Sequence, residues 1–164
     1  MTVVVWITEG TWPTCVDAAR TRVPAGAEVV LLYVAGAEVA GAAHGAFAGL
    51  LGRGHPAPHH PAPHHPGAGW GSDPGDRMEE LASATGEDLL RAAAERLGRP
   101  CTVRVAHGRP EREVVAAADG ADLLVLARDG SRTHRGPHSL GPATRYVVDH
   151  APCPVLLLWP DPAP

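Results

Sequence analysis

The feature that most constrains the fold of this chain is a strand, helix, strand pattern in residues 118–159. Two apolar runs of strand length, at 123–127 and 155–159, flank a polar loop with glycines and a segment of helical periodicity. Because a helix connects them, the two strands are predicted to be parallel. The loop that leaves the first strand, residues 128–141, then lies at the carboxyl edge of the sheet, where open α/β folds bind ligands.

The same alternation runs through the rest of the chain. Apolar runs predict strands at 3–7, 28–34 and 101–106, and the first of these reads as a central strand covered on both faces. Helical spacing predicts helices at 13–23, 76–97, 111–118 and 142–151. This order predicts an α/β fold, a doubly wound sheet of five parallel strands with helices on both faces.

Two of the predicted helices have a clear apolar side. The helix at 76–97 is expected to bury a face made of Met78, Leu81, Thr85, Leu89, Ala93 and Leu97. In the helix at 142–151, Ala143, Tyr146, Val147 and His150 fall on one side, and His150 is expected to satisfy a hydrogen bond at the helix end rather than to bind a ligand.

Residues 36–75 interrupt the pattern with a tract that repeats HPAPH and has five prolines between Gly54 and Gly67. Proline lacks the backbone donor and fixes φ, so we expect an exposed insertion within a single domain that spans 1–164. Its histidines raise a metal hypothesis, because neutral imidazoles bind zinc, nickel or copper. The candidate ligands are His59, His60, His64 and His65. A proline-rich loop provides no fixed ligand geometry, so we favour a spacer and keep metal buffering as an alternative.

Charge and cysteine usage exclude several classes of protein. The formal net charge is -4 and the 14 basic residues, all arginine, are dispersed, which argues against a nucleic-acid partner. Three cysteines, at 15, 101 and 153, have no metal-ligand spacing and make a disulfide framework unexpected. The sequence shows neither a signal peptide nor a membrane span, so we expect a cytoplasmic protein without a membrane partner.

Four segments together resemble the universal stress protein family. They are VVVWITEGT, EVVLLYV, VRVAHGRPEREVVAAADGADLLVLAR and LGPATRYVVDHAPCPVLLLW, of which the last is the most specific. The resemblance implies a Rossmann-like fold of the adenine nucleotide α-hydrolase type, with strand order 3-2-1-4-5. It also implies dimerisation through the fifth strands, and in one subgroup ATP at the carboxyl ends of the strands.

In the ATP-binding subgroup, a loop Gly-x2-Gly-x9-Gly-Ser/Thr follows strand four. Aligned on Gly141, this sequence has Arg128, Ser131 and Pro142 at the other three positions, so one of four is kept. Glycine lets a phosphate approach the backbone, and Pro142 has neither the hydroxyl nor the N–H that would hold one. Asp129 adds a negative charge to the same loop. The resemblance also implies that Glu9 stands where ATP-binding members have an aspartate after strand one, and that Val34 matches their apolar residue on the adenine side. The positions equivalent to the ATP site by this resemblance are Thr8, Glu9, Val34, Arg128, Gly130 and Gly141.

A second interpretation of this loop is that Arg128, Arg132 and Arg135 hold phosphate without a glycine cradle. We nevertheless expect ATP binding to be weak or absent, with ATP or AMP and Mg as the cofactors if any is used. For catalysis, Ser131 with His134 or His138 is a conceivable pair, but no nucleophile elbow is present and no catalytic residue is assigned.

Three functions therefore compete. The first is a non-enzymatic regulatory or interaction protein of stress response, with protein partners that the sequence does not identify. The second is an adenine-nucleotide binder with slow or no hydrolysis, and the third is metal buffering. We also expect a homodimer through the apolar edge strand that runs from Val155 to Trp159, since pairing would cover its free edge.

Overall fold

A computed structural model describes residues 1–36, 74–130 and 139–160 of the chain. Its strands are β1 (Thr2–Trp6), β2 (Glu28–Gly36), β3 (Thr102–Gly108), β4 (Leu123–Ala127) and β5 (Val155–Leu158). Its helices are α1 (Trp12–Arg22), α2 (Pro74–Leu97), α3 (Pro110–Ala117) and α4 (Pro142–His150). The insertion predicted at 36–75 is thus bounded by a strand that runs to Gly36 and a helix that starts at Pro74.

All five strands pair in parallel in the order β3-β2-β1-β4-β5, as predicted. The register places Val4 of β1 opposite Val30 of β2 on one side and Leu124 of β4 on the other. The strand β1 is therefore central, with β2 on one side and β4 on the other. The loops after β1 and β4 lie side by side at the carboxyl edge of the sheet.

Two apolar layers cover the two faces of the sheet. Alternate residues of β1 point to opposite faces: Val3 and Val5 pack with α1 and α2, whereas Val4 and Trp6 pack with α3 and α4. Val3, Val4 and Val5 are fully or almost fully buried. This explains why β1 is a continuous β-branched run rather than an alternating one.

The predicted buried face of α2 is wrong in part. Leu81 is 66% exposed, whereas Leu90 is buried together with Ala93 and Leu97. The buried face of α2 also includes Gly86, where a Cβ would lie 2.2 Å from Cδ1 of Tyr33. The ring of Tyr33 fills the space that a side chain at position 86 would need, so a glycine marks the contact face and the spacing of large apolar residues misses it.

The side of α4 that carries Ala143, Tyr146, Val147 and His150 is fully buried only at Val147. Thr144 and Val147 are the buried residues of the helix, and His150 is exposed. The rings of Tyr146 and His150 stack on the outside, with centroids 3.9 Å apart and planes 7° from parallel. A second contact, from Nδ1 of His150 to the carbonyl oxygen of Tyr146 at 2.8 Å, holds the imidazole along the helix rather than in the core.

Charged side chains join α1 to the end of α2. Arg96 donates two hydrogen bonds to the carboxylate of Asp17, at 2.9 and 2.6 Å, in a bidentate ion pair. Arg99 donates to the carbonyl oxygens of Val23 and Pro24, at 3.2 and 2.9 Å, where α1 has ended. These contacts fix the angle between two helices on the same face of the sheet.

We predict that Asp17→Asn lowers the melting temperature at pH 7 by roughly 1 to 3 °C, since the ion pair is solvent-exposed. The hydrogen bond from Arg96 lowers the pKa of Asp17. The folded carboxyl therefore titrates below its unfolded value of about 3.9, so its contribution is complete above that pH and disappears as the pH falls through the folded pKa.

Thermal unfolding of both proteins between pH 7 and pH 2.5 tests this, and the difference between them should shrink towards the acid end. Asp88→Asn is the matched control, because the ion pair between Asp88 and Arg91 lies within one helix and does not join two helices. A loss of stability as large in Asp88→Asn, or a difference that is constant with pH, would contradict the assignment.

Candidate functional site

The carboxyl edge of the sheet brings three loop starts together. Thr8 and Glu9 follow the central strand β1, the end of β2 lies on one side, and Arg128 follows β4 on the other. Val34 and Gly141 lie at the end of β2 and the start of α4. The sequence-predicted site residues thus share one edge, as the fold requires.

The loop after β1 closes on itself. The carbonyl oxygen of Thr8 accepts from the backbone N–H groups of Thr11 and Trp12, at 3.3 and 3.1 Å. The two threonine hydroxyls lie 2.6 Å apart and form a hydrogen bond. Gly10 has φ of 75°, a left-handed conformation that glycine adopts without strain. The hydroxyl of Thr8 is therefore bonded to the residue that precedes α1.

Glu9 and Val34 have different surroundings. Glu9 is exposed, and its carboxylate contributes to raising the pKa of Tyr33, after the larger effect of the burial of that phenol. Val34 is buried on the opposite face of β2, in the layer that includes Ala106 and Val114. The structure therefore associates Glu9 with the Tyr33 side of the sheet, and Val34 with the α3 and α4 side.

Arg128 ties the loop after β4 to its surroundings. Its backbone N–H donates to the carbonyl oxygen of Leu158 at 2.9 Å, which extends the pairing of β4 with β5 by one bond. Its guanidinium donates to the hydroxyl of Ser139, which is completely buried. The same guanidinium carbon lies 5.2 Å from the ring centroid of Trp159, within the range of a cation–π contact.

The carboxylate of Asp129 lies against the start of α4. Its Oδ1 accepts a hydrogen bond from the backbone N–H of Gly141 at 2.8 Å. A Cβ on Gly141 would lie 2.8 to 3.0 Å from the three carboxyl atoms of Asp129, so a side chain at position 141 would require this carboxylate to shift. Gly130 adds a third tie, from its N–H to the carbonyl oxygen of Ser139 at 3.1 Å.

These contacts make the two arms of the loop, 128–130 and 139–141, a connected unit. Each of the three consecutive residues after β4 bonds to the arm that precedes α4: Arg128 and Gly130 to Ser139, and Asp129 to Gly141. Within residues 128–130 and 139–141 the charged side chains are Arg128 and Asp129, and each has a hydrogen-bond partner inside the chain.

Two of these roles were not apparent in the sequence. No sequence pattern identifies Ser139 as the partner of Arg128. The charge of Asp129 predicts repulsion of phosphate, but it does not predict the hydrogen bond from Gly141. Capping residues are normally sought at the helix start itself. Gly141 stands there and α4 has no local side-chain cap, so the acceptor comes from a residue twelve positions earlier.

The other chemical hypotheses meet the structure only in part. His59, His60, His64 and His65, and the catalytic candidates Ser131, His134 and His138, lie outside the described residues. Within the described ranges, no group of three or more His, Cys, Asp or Glu could hold a metal ion. All three cysteines are free, and burial raises the pKa of Cys15 to about 12. Among the helices of residues 1–36, 74–130 and 139–160, none is long and apolar enough to cross a membrane.

Comparison with known proteins decides the family. The model of the universal stress protein family matches residues 15–158. The chain belongs to the universal stress protein family. This confirms the family inferred from the four sequence segments, although the matched region begins after β1. No curated protein sequence matched the chain.

Solved universal stress proteins have the same fold. UspA from Lactobacillus plantarum superposes with a TM-score of 0.63 at 22% identity, over 96% of this chain and 97% of that one. A universal stress protein in complex with cAMP gives 0.59 at 17% identity, over 98% of both chains. A family protein from Arabidopsis thaliana with AMP bound gives 0.54 at 18% identity, over 98% and 92%. The five-stranded Rossmann-like architecture is therefore confirmed.

The buried contact between Arg128 and Ser139 leads to a stability prediction. Ser139→Ala removes the acceptor of a charged donor, and we expect it to lower the free energy of unfolding by about 1 to 2 kcal/mol. Urea unfolding at pH 7 measures this. Ser83→Ala, on α2, is the control, and an effect of Ser139→Ala no larger than that of Ser83→Ala would contradict a stabilising role for the bond.

Proposed function

We propose that this universal stress protein is a non-enzymatic regulatory or interaction protein of stress response, which acts as a homodimer and binds ATP weakly or not at all. The observation that carries the proposal is the set of hydrogen bonds that join residues 128–130, after β4, to residues 139–141, before α4. Arg128 donates a hydrogen bond to Ser139, and the N–H of Gly141 at the helix start donates one to Asp129. Among the described residues, the Arg128 guanidinium and the Gly141 N–H, which could contact a phosphate, thus already have partners within the chain.

The energetic argument is one of competition. A phosphate at the start of α4 would have to displace the carboxylate of Asp129 or lie beside it, and Pro142 supplies no N–H in compensation. Two negative charges about 4 Å apart repel by about 1 to 4 kcal/mol between the dielectric of water and that of a protein surface. That repulsion weakens a micromolar site by roughly five-fold to a thousand-fold.

A second candidate function is adenine-nucleotide binding with slow or no hydrolysis. The observation that favours it is the shared fold with a cAMP-bound and an AMP-bound universal stress protein. In this alternative, Arg128 would leave Ser139 to contact phosphate, and Val34 would lie on the adenine side. Glu9 would take the position of the aspartate that follows strand one in ATP-binding members.

Titration with ATP and magnesium separates the two functions. For protein that has been unfolded and refolded to remove copurified nucleotide, we predict a dissociation constant weaker than about 100 μM by isothermal titration calorimetry. AMP and cAMP are titrated in parallel. A dissociation constant for ATP in the low micromolar range or tighter would reject the first function in favour of the second.

The dimer is proposed from the geometry of β5. Pro154 and Leu158 turn their carbonyl oxygens to β4, where they accept from Leu124 and Arg128 at 2.9 Å each. Backbone groups alternate in direction along a strand, so the N–H and C=O of Leu157 point to the free edge of the sheet. The side chains from Val155 to Leu158 are only half-buried. A second copy would supply partners for the backbone and cover apolar surface.

We predict that the protein is a dimer by size-exclusion chromatography with light scattering, and that Leu157→Arg shifts it to the monomer. The charge would lie in the contact between the two β5 strands. Val103→Arg is the matched control, because Val103 is 53% exposed on the opposite edge strand β3. Circular dichroism checks that both variants are folded. A monomeric parent protein, or loss of the dimer in Val103→Arg alone, would contradict the proposed interface.

A further inference from the structure

The contact between Asp129 and Gly141 has the features of an anion bound to a protein. The carboxylate faces a backbone N–H, and it lies so close to Cα of Gly141 that a methyl group there would clash with it at 2.8 to 3.0 Å. The N-terminal end of α4 and the neighbouring Arg128 provide positive potential. A small, negatively charged, planar group fits this position, and the chain itself supplies that group.

The position of the Asp129 carboxylate is accessible to an anion from solvent if the carboxylate is removed. The Asp129 side chain is exposed, and an open groove of about 610 Å³ borders Gly130, Gly141 and Pro142. The hydrogen bonds of Arg128 and Gly130 to Ser139 do not involve the carboxylate. Removing it would therefore leave the loop tied at two of its three contacts, with the Gly141 N–H open to the groove.

We propose that Asp129 is an internal substitute for a phosphate group, which joins residues 128–130 to the start of α4 without a ligand and excludes phosphate from that position. This inference rests on the proposed function, in which wild-type protein binds ATP weakly, and it names the residue responsible. The other departures from the family loop, at Arg128, Ser131 and Pro142, then lower affinity without being the main block.

The test is rescue by an external anion. Asp129→Gly should have a lower melting temperature than wild type, and inorganic phosphate should restore it by about 3 °C at ten times its dissociation constant. Mg-ATP should bind this variant at least tenfold more tightly than it binds wild type. Asp129→Asn should respond less than the glycine variant, because its amide still occupies the position and can accept from Gly141. Sodium chloride at equal ionic strength controls for general screening.

Asp119→Gly is the charge-matched control, since Asp119 is exposed at the opposite end of the sheet, in the turn before β4. The inference is overturned if phosphate stabilises Asp129→Gly no more than it stabilises Asp119→Gly, while wild type still fails to bind ATP. If wild type itself binds ATP in the low micromolar range, the proposed function and this inference both fail. Rescue of Asp129→Gly alone supports the internal phosphate substitute.

Discussion

The burial of β1 on both faces is the constraint on which the rest of the structure depends. A strand whose side chains are covered above and below needs two helical layers and a pairing partner on each side, and parallel strands satisfy this through helical crossovers. The order of the sheet then follows, with β2 and β4 next to β1. The crossover after β1 leads to β2 on one side, and the crossover after β4 leads to β5 on the other side. Since β1 and β4 are neighbours, the loops that leave them lie next to each other at the carboxyl edge. The location of the site is thus a consequence of the core.

The sequence predicts most of this frame because strands and helices are defined by local patterns. The bounds of β4 agree with the predicted run at 123–127, and α1 ends close to Pro24 and Gly26 as expected. The errors occur where a tertiary contact overrides the pattern. Gly86 lies in the contact face of α2 because the ring of Tyr33 needs its space, and no periodicity of large side chains can identify a position used for its lack of a side chain.

The site is less predictable than the fold for a related reason. The loss of the family glycines and the charge of Asp129 can be read from the sequence, and both point to weak phosphate binding. The partner of Asp129 cannot be, because a bond to Gly141 depends on how residues 128–130 return to 139–141 rather than on either segment. The burial of Ser139 beneath Arg128 has the same origin. Side chains that meet across a loop leave no local spacing to detect.

Arg128 links the loop to the edge of the sheet, which bears on how the two halves of the proposed function relate. The same residue bonds to Ser139, extends the pairing of β4 with β5 through its N–H, and places its guanidinium near Trp159, just beyond β5. A phosphate that drew this guanidinium away would remove contacts next to the edge proposed for dimerisation. The N–H of Gly141 at the start of α4 has Asp129 as its acceptor, and the guanidinium of Arg128 contacts Ser139 and Trp159. The contacts between 128–130 and 139–141 therefore share Arg128 with the β5 edge, and the proposed function uses that edge for contact with a second copy rather than the loop for a ligand.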